Sequence, residues 1–322
     1  MHRYGPPGVL EPVDVPAPTP TAEQAIVRVI ASSVNPADWH RMRGEPVLVR
    51  FSEGLRTPKN PGIGADLAGV VEAVGAEVTT LKPGDEVFGM SVRTWAELVA
   101  VKAEGLVLKP ASVSFEAAGV VGVAALTALQ GLRNHGHVAA GQRVLVSGAG
   151  GGVGSFGVQI AKALGAEVTA STNAGNLDWV RSMGADEVID YATTDPTAVR
   201  ARYDVIFDAG GWLTLAGERR ALKPGGIAVN AGAGRSVSVA GLVGRMAGAA
   251  VLTRIGSRRF VSYLAHRTQE DLQFLRAMLE AGTLKPVIDR RYTLDEIRAA
   301  VAYQETGNAR GKVAVAIAGE AS

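Results

Sequence analysis

The 322-residue sequence contains no cysteine. Without thiols the chain forms no disulfide, offers no thiolate ligand to zinc and has no cysteine nucleophile. None of its five histidines has a recognisable metal-ligand spacing to carboxylates; they are His2, His40, His135, His137 and His266. We therefore predict that the protein binds neither zinc nor another metal, although the lack of cysteine does not identify its cellular compartment.

Long apolar runs and an excess of one charge are also missing. No uninterrupted apolar segment is long enough to cross a bilayer, and the first residues, MHRYGPP, lack the apolar core of a signal peptide. The 33 Lys and Arg residues nearly balance the 31 Asp and Glu residues, and a net charge of +2 provides no basic patch for nucleic acid. These features predict a cytoplasmic protein that binds neither a membrane nor a nucleic acid.

One segment, residues 143–162, predicts a strand, a glycine turn and a helix. Residues 144–146 are a short apolar run, and residues 148–154 are rich in glycine. Apolar residues at helical spacing follow from Val153. Glycine lets the main chain approach a pyrophosphate closely, and the first N–H groups of the helix are free to donate to phosphate oxygens. With a strand before it and a helix after it, the turn predicts a dinucleotide site. Its predicted contact residues are Ala149, Gly151, Gly152, Val153 and Gly154.

Two domains are expected, because 322 residues are many for one core. Short β-rich runs at residues 25–34, 64–75, 81–89, 95–101 and 106–110 predict an antiparallel, barrel-like domain. After Ser114, strands alternate with helices, which predicts a parallel sheet covered on both faces. These strands are residues 144–147, 167–171, 187–190, 204–209, 226–231 and 260–264, with helices at 177–183 and 213–222. A helix at 269–281 precedes a last strand at 312–317 that rejoins the first domain, so we predict domains at residues 1–114 with 267–322 and at residues 115–266.

The order of the motifs along the chain is typical of one family. The motifs are Tyr4-Gly5 with residues 9–11, and residues 33–39, 64–69, 82–89, 124–129, 148–154 with 159–162, 183–186 and 309–313. Over essentially the whole chain they resemble the zinc-independent quinone oxidoreductase branch of the medium-chain dehydrogenase/reductase superfamily. The resemblance implies a GroES-like β-barrel domain joined to a Rossmann domain, an active site in the cleft between them, and a homodimer formed by edge strands of the Rossmann sheets.

The residues at the expected zinc positions point to the chemistry. Zinc alcohol dehydrogenases of the same superfamily bind catalytic zinc through two cysteines and a histidine; here Asn35 stands where the first cysteine would be and Ala65 where the histidine would be. Oxidation of a simple alcohol lacks its usual driver without a Lewis acid. We therefore expect hydride to pass from a reduced nicotinamide to a small-molecule electron acceptor, a quinone or an activated alkene. Two alternatives stay open: an enoyl-thioester reductase, and a non-catalytic NADPH-binding sensor or interaction protein.

The end of the second Rossmann strand bears on the choice of cofactor. A site specific for NAD places an Asp or Glu there, about 20 residues beyond the glycine turn, to hold the ribose 2′-OH. Residues 168–176 contain no acid, which favours NADPH over NADH, although Ala174 and Gly175 occupy positions where similar proteins carry Arg or Lys. Alternatively, residues 173–176 are simply a turn and a helix cap. The neutral candidates are Ser171, Thr172, Asn173 and Tyr191, and the resemblance adds cofactor contacts at Asn35, Thr127, Asp208, Ala209, Gly232 and Ala233.

The loop at residues 35–41 resembles the one that replaces the zinc-binding segment and faces the nicotinamide. Asn35 is the first catalytic candidate, because its amide can orient the nicotinamide or bond a substrate carbonyl. His40 is the second, because an imidazole titrates near pH ~6.5 and can supply the proton that follows hydride transfer, although a surface histidine is an equally good interpretation. Asp66 is interpreted as structural. The residues predicted to line the substrate pocket, with core packing as the alternative for the aromatics, are Trp39, Arg41, Phe51, Met90, Trp95, Phe260 and Tyr263.

Overall fold

The structure is a computed structural model that describes residues 1–232 and 239–318. It divides the chain into two compact units, Met1–Leu126 with Arg267–Ser322, and Thr127–His266. Residues 115–126, which the sequence analysis assigns to the nucleotide-binding domain, belong to the first unit instead. One reason is a partly buried hydrogen bond, in which the Val123 N–H donates to Asp66 Oδ1 over 2.5 Å and so holds this segment on the first unit.

Strands dominate the first unit and alternate with helices in the second. The described strands are β1 (Gln24–Val34), β2 (Asp66–Val74), β3 (Glu86–Met90), β4 (Leu98–Lys102), β5 (Leu106–Leu108), β6 (Arg143–Ser147), β7 (Glu167–Thr172), β8 (Glu187–Asp190), β9 (Tyr203–Asp208), β10 (Leu222–Asn230), β11 (Arg259–Ser262), β12 (Ile288–Thr293) and β13 (Lys312–Ala316). The described α-helices are α1 (Pro36–Arg43), α2 (Val49–Glu53), α3 (Phe115–Ala118), α4 (Gly122–Leu129), α5 (Gly152–Ala163), α6 (Leu177–Ser182), α7 (Leu215–Ala221), α8 (Val239–Ile255), α9 (Gln269–Glu280) and α10 (Ile297–Glu305).

The first unit is organised around β1. Residues 25–34 combine β-branched and small apolar side chains and are nearly all buried, so this strand is covered on both faces. It pairs antiparallel with β2, β4 and β13, and the sheet follows the order β12-β13-β1-β2-β3-β5. The pairing of Ala31 with Ala316 holds the C-terminal strand in this unit. The predicted antiparallel sheet of the N-terminal region is confirmed.

The second unit contains a parallel sheet in the order β11-β10-β9-β6-β7-β8. The chain builds outward from β6 in both directions, first through β7 and β8, and then through β9, β10 and β11. The strands have the apolar runs that two covering helix layers require, as in the buried residues 144–146. This doubly wound order confirms the predicted Rossmann architecture.

In the second unit, strand pairing determines where two of the predicted elements end. The predicted helix 213–222 ends at Ala221, because Leu222 already begins β10 and pairs in register with Tyr203. The predicted strand 260–264 ends at Ser262, where its pairing with Asn230 of β10 stops. Within residues 1–232 and 239–318, none of the helices combines the length and apolarity needed to span a membrane.

Candidate functional site

The glycine turn lies at the carboxyl edge of the parallel sheet, between β6 and α5. Gly151 is the N-cap residue of α5, in an extended conformation with φ −89° and ψ 176°, and it has no side chain to cap the helix. Only glycine fits at position 154, because a Cβ on Gly154 would lie 2.1 Å from the Gly148 carbonyl oxygen. The Ala149 N–H donates to the Ser171 carbonyl over 3.0 Å and ties the turn to β7. The start of α5 is therefore bare backbone whose first N–H groups have no partner within the helix.

These residues fit the pyrophosphate of a nicotinamide dinucleotide. A Cβ on Gly151 would meet its nearest neighbour, the Gly148 carbonyl oxygen, only at 3.5 Å, so the space beside the N-cap is open. The partial positive charge of a helix N-terminus attracts an anion into such a space. Gly152, Val153 and Gly154 come together in this first turn, where their main-chain N–H groups would hold the pyrophosphate, whereas the Gly151 N–H already donates to the Gly148 carbonyl over 3.0 Å.

The residues after β7 lie against the same turn. A Cβ on Gly150 would approach Thr172 Oγ1 to 2.6 Å and Asn176 Nδ2 to 2.5 Å, so both side chains contact the turn. Asn173 is exposed, and the Tyr191 N–H donates to the Thr172 carbonyl over 3.1 Å while its ring stays exposed. The structure gathers these neutral residues and adds Asn176, which the sequence showed only as part of a turn.

A polar row of residues crosses the parallel sheet at this edge. This carboxyl-end row consists of Ser171, Ser147, Asp208, Asn230 and Ser262, paired in register in the spatial order β7, β6, β9, β10, β11. The row before it is apolar and consists of Ala170, Val146, Phe207, Val229 and Val261. Ligands of doubly wound sheets bind outside the carboxyl ends of the strands. The change from an apolar to a polar row marks the edge that faces such a ligand.

Asp208 shapes the loop beyond the row. Its buried carboxylate accepts hydrogen bonds from the Gly211 N–H at 3.0 Å and from the Leu213 N–H at 2.9 Å. A Cβ on Gly232 would lie 2.7 Å from the Ala209 carbonyl oxygen, so the loops after β9 and β10 touch at this point. The structure thus brings together three of the cofactor contacts implied at these strand ends. The fourth, Ala233, lies outside the described residues.

Asn230 is a member of the row that the sequence analysis missed. It follows the apolar residues 227–229 of β10 and pairs in register with Asp208 and Ser262. Its Nδ2 atom is buried and has no hydrogen-bond partner among the residues that the structure describes. The signal that would have found it is a polar side chain at the carboxyl end of a strand in a predicted parallel sheet.

Two residues predicted to line the pocket, Phe260 and Tyr263, are used in packing within the second unit. Phe260 packs against the core cluster that contains Leu145. Tyr263 donates its hydroxyl hydrogen to the Thr127 carbonyl, and its ring centroid lies 4.5 Å from that of His135. Burial raises the pKa of the Tyr263 phenol, so it stays a protonated donor. The Tyr263 hydroxyl and the Thr127 carbonyl are therefore partners of each other, and the predicted contacts of Phe260, Tyr263 and Thr127 with a ligand stay predictions.

A set of buried polar side chains surrounds Asp66 in the first unit. The Lys312 ammonium donates to Asn35 Oδ1 over 2.5 Å and lies 3.2 Å from Asp66 Oδ2. Asn35 Nδ2 donates to Asp66 Oδ2 at 2.9 Å and to Ser33 Oγ at 3.3 Å. Ser33 Oγ itself donates to Asp66 Oδ2 at 2.5 Å. These four residues, here named the Asp66 cluster, are each at most 3% exposed.

The Asp66 cluster engages both ends of the Asn35 amide. Because its oxygen accepts from Lys312 and its nitrogen has two acceptors, the amide is oriented inside the first unit. The roles of Asn35 toward the nicotinamide or the substrate stay predictions. The interpretation of Asp66 as structural agrees with its contacts.

The Asp66 cluster includes one of the positions where the resemblance places a zinc ligand. At the positions where the resemblance places zinc ligands, Asn35 and Ala65 offer neither a thiolate nor an imidazole, and the cation beside Asn35 is the Lys312 ammonium. In the ranges 1–232 and 239–318, His, Asp and Glu side chains form no group of three suited to a metal ion. The side chains at these two positions therefore do not fit the catalytic zinc site of the zinc alcohol dehydrogenases, and zinc independence stays a prediction.

His40 lies on α1 with its ring tied to the protein. Its Nδ1 donates to the Glu45 carbonyl at 2.8 Å, and its ring stacks on Trp39 with 3.7 Å between centroids. Burial lowers the pKa of His40, so the ring is neutral near pH 7, with its proton on Nδ1 and an accepting Nε2. In this state His40 offers an acceptor at Nε2, and its role as the proton donor that follows hydride transfer stays a prediction.

Two predicted pocket residues adjoin the Asp66 cluster. Trp95 donates its Nε1–H to the Ser33 carbonyl at 3.1 Å, and Met90 pairs in register with Asp66. Trp95 and Trp39 both pack against a core cluster of the first unit. Their rings are thus at least partly used in the core, which was the alternative interpretation for the aromatics.

Arg41 and Phe51, also predicted to line the pocket, lie at α1 and α2. The Arg41 guanidinium pairs with Glu53 at 2.6 Å, so its charge already has a partner. Phe51 is 67% exposed. Neither contacts the Asp66 cluster through a described hydrogen bond or ion pair.

Asp38 caps the start of α1 from a buried position. Its Oδ2 accepts the Asn35 N–H over 2.7 Å. Burial, with a further contribution from the charge of Asp66, raises the pKa of Asp38 from 3.8 to about 7. The hydrogen bond from Asn35 and the charges of Lys312 and Arg41 oppose this rise. Asp38 therefore carries a proton over a pH range in which an exposed aspartate is ionised.

We expect Asp38→Asn to remove a pH dependence of stability. Between about pH 4 and 7 the folded wild type keeps a proton that the unfolded chain has released, so its free energy of unfolding falls as pH rises through this window. Asparagine keeps an acceptor for the Asn35 N–H and does not titrate. From pH 4 to pH 8 the variant should gain up to about 4 kcal/mol relative to wild type. Urea denaturation across this range measures the gain, and a constant difference between the two proteins would contradict the prediction.

Comparison with known proteins covers both units. A family model described as alcohol dehydrogenase GroES-like domain matches residues 21–111. A second model, described as zinc-binding dehydrogenase, matches residues 183–315.

Individual proteins match over nearly the full chain. A 2-methylene-furan-3-one reductase from Solanum lycopersicum is 32% identical over 318 residues, which cover 94% of this chain and 74% of that protein. A chloroplast envelope quinone oxidoreductase homolog from Arabidopsis thaliana is 31% identical and covers 95% of this chain and 93% of its own. The solved structure of Escherichia coli quinone oxidoreductase complexed with NADPH is 25% identical, with a TM-score of 0.82 and 98% of each chain covered.

Proposed function

The chain belongs to the quinone oxidoreductase-like branch of the medium-chain dehydrogenase/reductase superfamily, and from that membership we propose that it is a zinc-independent, NADPH-preferring reductase of a quinone or an enone. It is an oxidoreductase with a nicotinamide cofactor. The glycine turn carries the proposal, because it offers bare main-chain N–H groups to a pyrophosphate at the carboxyl edge of a doubly wound sheet. The acceptor class is supported by the relatives, one named for an enone and two for quinones.

Neutral residues at the end of β7 support NADPH over NADH. Thr172 and Asn176 contact the glycine turn, and no carboxylate lies among residues 168–176 to repel a 2′-phosphate. Hydroxyl and amide groups there are suited to donate to phosphate oxygens. NADH is the alternative, because Asp190 of β8 pairs in register with Thr172 and brings a carboxylate to the neighbouring strand.

The residues of this chain bind and orient the cofactor rather than react with the acceptor. NADPH, when bound, supplies the hydride, and the acceptor also takes one proton, so that a quinone becomes a hydroquinone and an enone a saturated ketone. The first turn of α5 holds the pyrophosphate, and Asp208 fixes the loop at the carboxyl edge. Because His40 presents an accepting Nε2, we propose that the proton comes from water.

The proposal predicts NADPH oxidation by quinones and enones in a screen of purified protein. With NADH, kcat/KM should be about tenfold lower, since the 2′-phosphate adds charge-assisted hydrogen bonds. Treatment with a chelator should leave the rate unchanged, and metal analysis should find far less than one zinc per chain. Activity that disappears with the chelator and returns with zinc would refute zinc independence.

The same screen separates the alternatives. Enoyl thioesters reduced with a much higher kcat/KM than enones or quinones would indicate an enoyl-thioester reductase. Tight NADPH binding without turnover of any acceptor would indicate a sensor or interaction protein. The homodimer and the cytoplasmic location stay predictions.

A further inference from the structure

Asn230 occupies an inner position of the carboxyl-end row. On one side it pairs in register with Asp208, whose carboxylate accepts two main-chain N–H groups, and on the other side with Ser262. The residues before it, Ala228 and Val229, are buried in the core. Its Nδ2 atom is buried as well, and within residues 1–232 and 239–318 it has no acceptor.

An unpaired N–H group inside a protein is unfavourable, because it has lost its hydrogen bonds to water. Buried polar groups nearly always have a partner, so an exception needs a physical explanation. The position of Asn230 supplies one, since ligands of doubly wound sheets bind outside the carboxyl ends of the strands. A ligand at this edge can bring the acceptor that the folded chain lacks.

We infer that Asn230 Nδ2 donates a hydrogen bond to a carbonyl oxygen of the ligand held at this edge, and that Asn230 determines specificity for that oxygen. The inference rests on the proposed function, under which two carbonyl groups enter the site. One is the carboxamide of the nicotinamide, and the other is the carbonyl of the quinone or enone. A ligand that lacks the carbonyl leaves the buried donor unpaired and is bound less well.

The test is the variant Asn230→Leu, which keeps the size of the side chain and removes the donor. Gln304→Leu is the matched control, because Gln304 also has a buried amide atom without a described partner, Oε1, but lies on α10 of the first unit. For each protein we would measure the unfolding temperature, the dissociation constant of NADPH and kcat/KM with an enone. Asn230→Ala, which also lacks a side-chain donor, replaces the leucine variant if the latter does not fold.

Asn230→Leu should unfold at or above the wild-type temperature, because an unpaired buried donor is removed. If the nicotinamide carboxamide is the partner, the dissociation constant of NADPH rises about tenfold. If the acceptor carbonyl is the partner, that constant is unchanged and kcat/KM falls about tenfold. Gln304→Leu should change neither quantity.

The outcomes distinguish the inference from the proposed function. If Asn230→Leu folds and its dissociation constant for NADPH and its kcat/KM both stay within about twofold of wild type, the inference is overturned. The proposed reductase function is not affected by that result. A lower unfolding temperature with unchanged constants assigns Asn230 a structural role and overturns the inference too. A wild-type protein that binds neither NADPH nor NADH overturns the proposed function, and the inference with it.

Discussion

Replacing Gly151 with aspartate should weaken NADPH binding by about a hundredfold or more while leaving the fold intact. Gly151 is the N-cap of α5, its backbone is extended, and a Cβ there meets its nearest neighbour at 3.5 Å, so a side chain fits without strain. Aspartate is among the preferred N-cap residues, because its carboxylate accepts the free N–H groups of the first turn. Those are the groups that the pyrophosphate needs, and the new charge repels phosphate at the same point. At an effective dielectric constant of about 20, two charges about 4 Å apart repel by about 4 kcal/mol, which is enough for this loss.

The matched control is Gly151→Asn, which has the same shape and also caps the helix but carries no charge. We expect it to weaken NADPH binding by about tenfold, through competition for the N–H groups alone. Fluorescence titration with NADPH measures both affinities, and thermal unfolding without cofactor should show each variant at least as stable as wild type. If both variants lose the same affinity for NADPH, charge repulsion does not contribute to the loss. Wild-type affinity in Gly151→Asp would show that the pyrophosphate does not bind at this turn.

The parts of this site that the sequence predicts are those in which neighbouring residues act together. The glycine turn is such a case, because β6, the turn and α5 are consecutive in the sequence. One short segment therefore contains the whole pattern that predicts the site. The carboxyl-end row is the opposite case, since Ser147, Asp208 and Asn230 meet only through the register of the parallel sheet. A local sequence pattern does not predict which residues of neighbouring strands pair until the order of the strands is known.

His40 and Tyr263 show a second limit of sequence reasoning. Residue type indicates what each side chain can do, a proton transfer for the imidazole and a hydrogen bond for the phenol. Which partner it meets is decided by main-chain groups, the Glu45 carbonyl for His40 and the Thr127 carbonyl for Tyr263. Carbonyl groups are the same in every residue, so their positions appear only in the folded chain.

The Asp66 cluster joins residues that are far apart in the sequence of the first unit, with Lys312 lying 277 positions from Asn35 and 246 from Asp66. Removing its cation should cause the largest loss of stability of any substitution considered. Lys312→Met keeps the length and apolar stem of the side chain but leaves the Asp66 carboxylate buried without a counter-charge. Breaking a buried ion pair from one side lowers the free energy of unfolding by about 3–5 kcal/mol. Urea denaturation followed by tryptophan fluorescence reports the change, because Trp39 and Trp95 pack in the same unit.

Two further variants separate the charge from simple loss of packing. The double variant Lys312→Met with Asp66→Asn removes both charges and should recover most of the lost stability, since a neutral amide in that position needs no cation. Lys102→Met makes the same change in an exposed pair, where Lys102 and Glu23 are 53% and 65% exposed, and should alter stability by less than about 1 kcal/mol. If Lys312→Met is no worse than Lys102→Met, the Lys312 ammonium does not hold the cluster together. If the double variant is as unstable as Lys312→Met alone, the side chain of Lys312 stabilises the unit through its packing rather than through its charge.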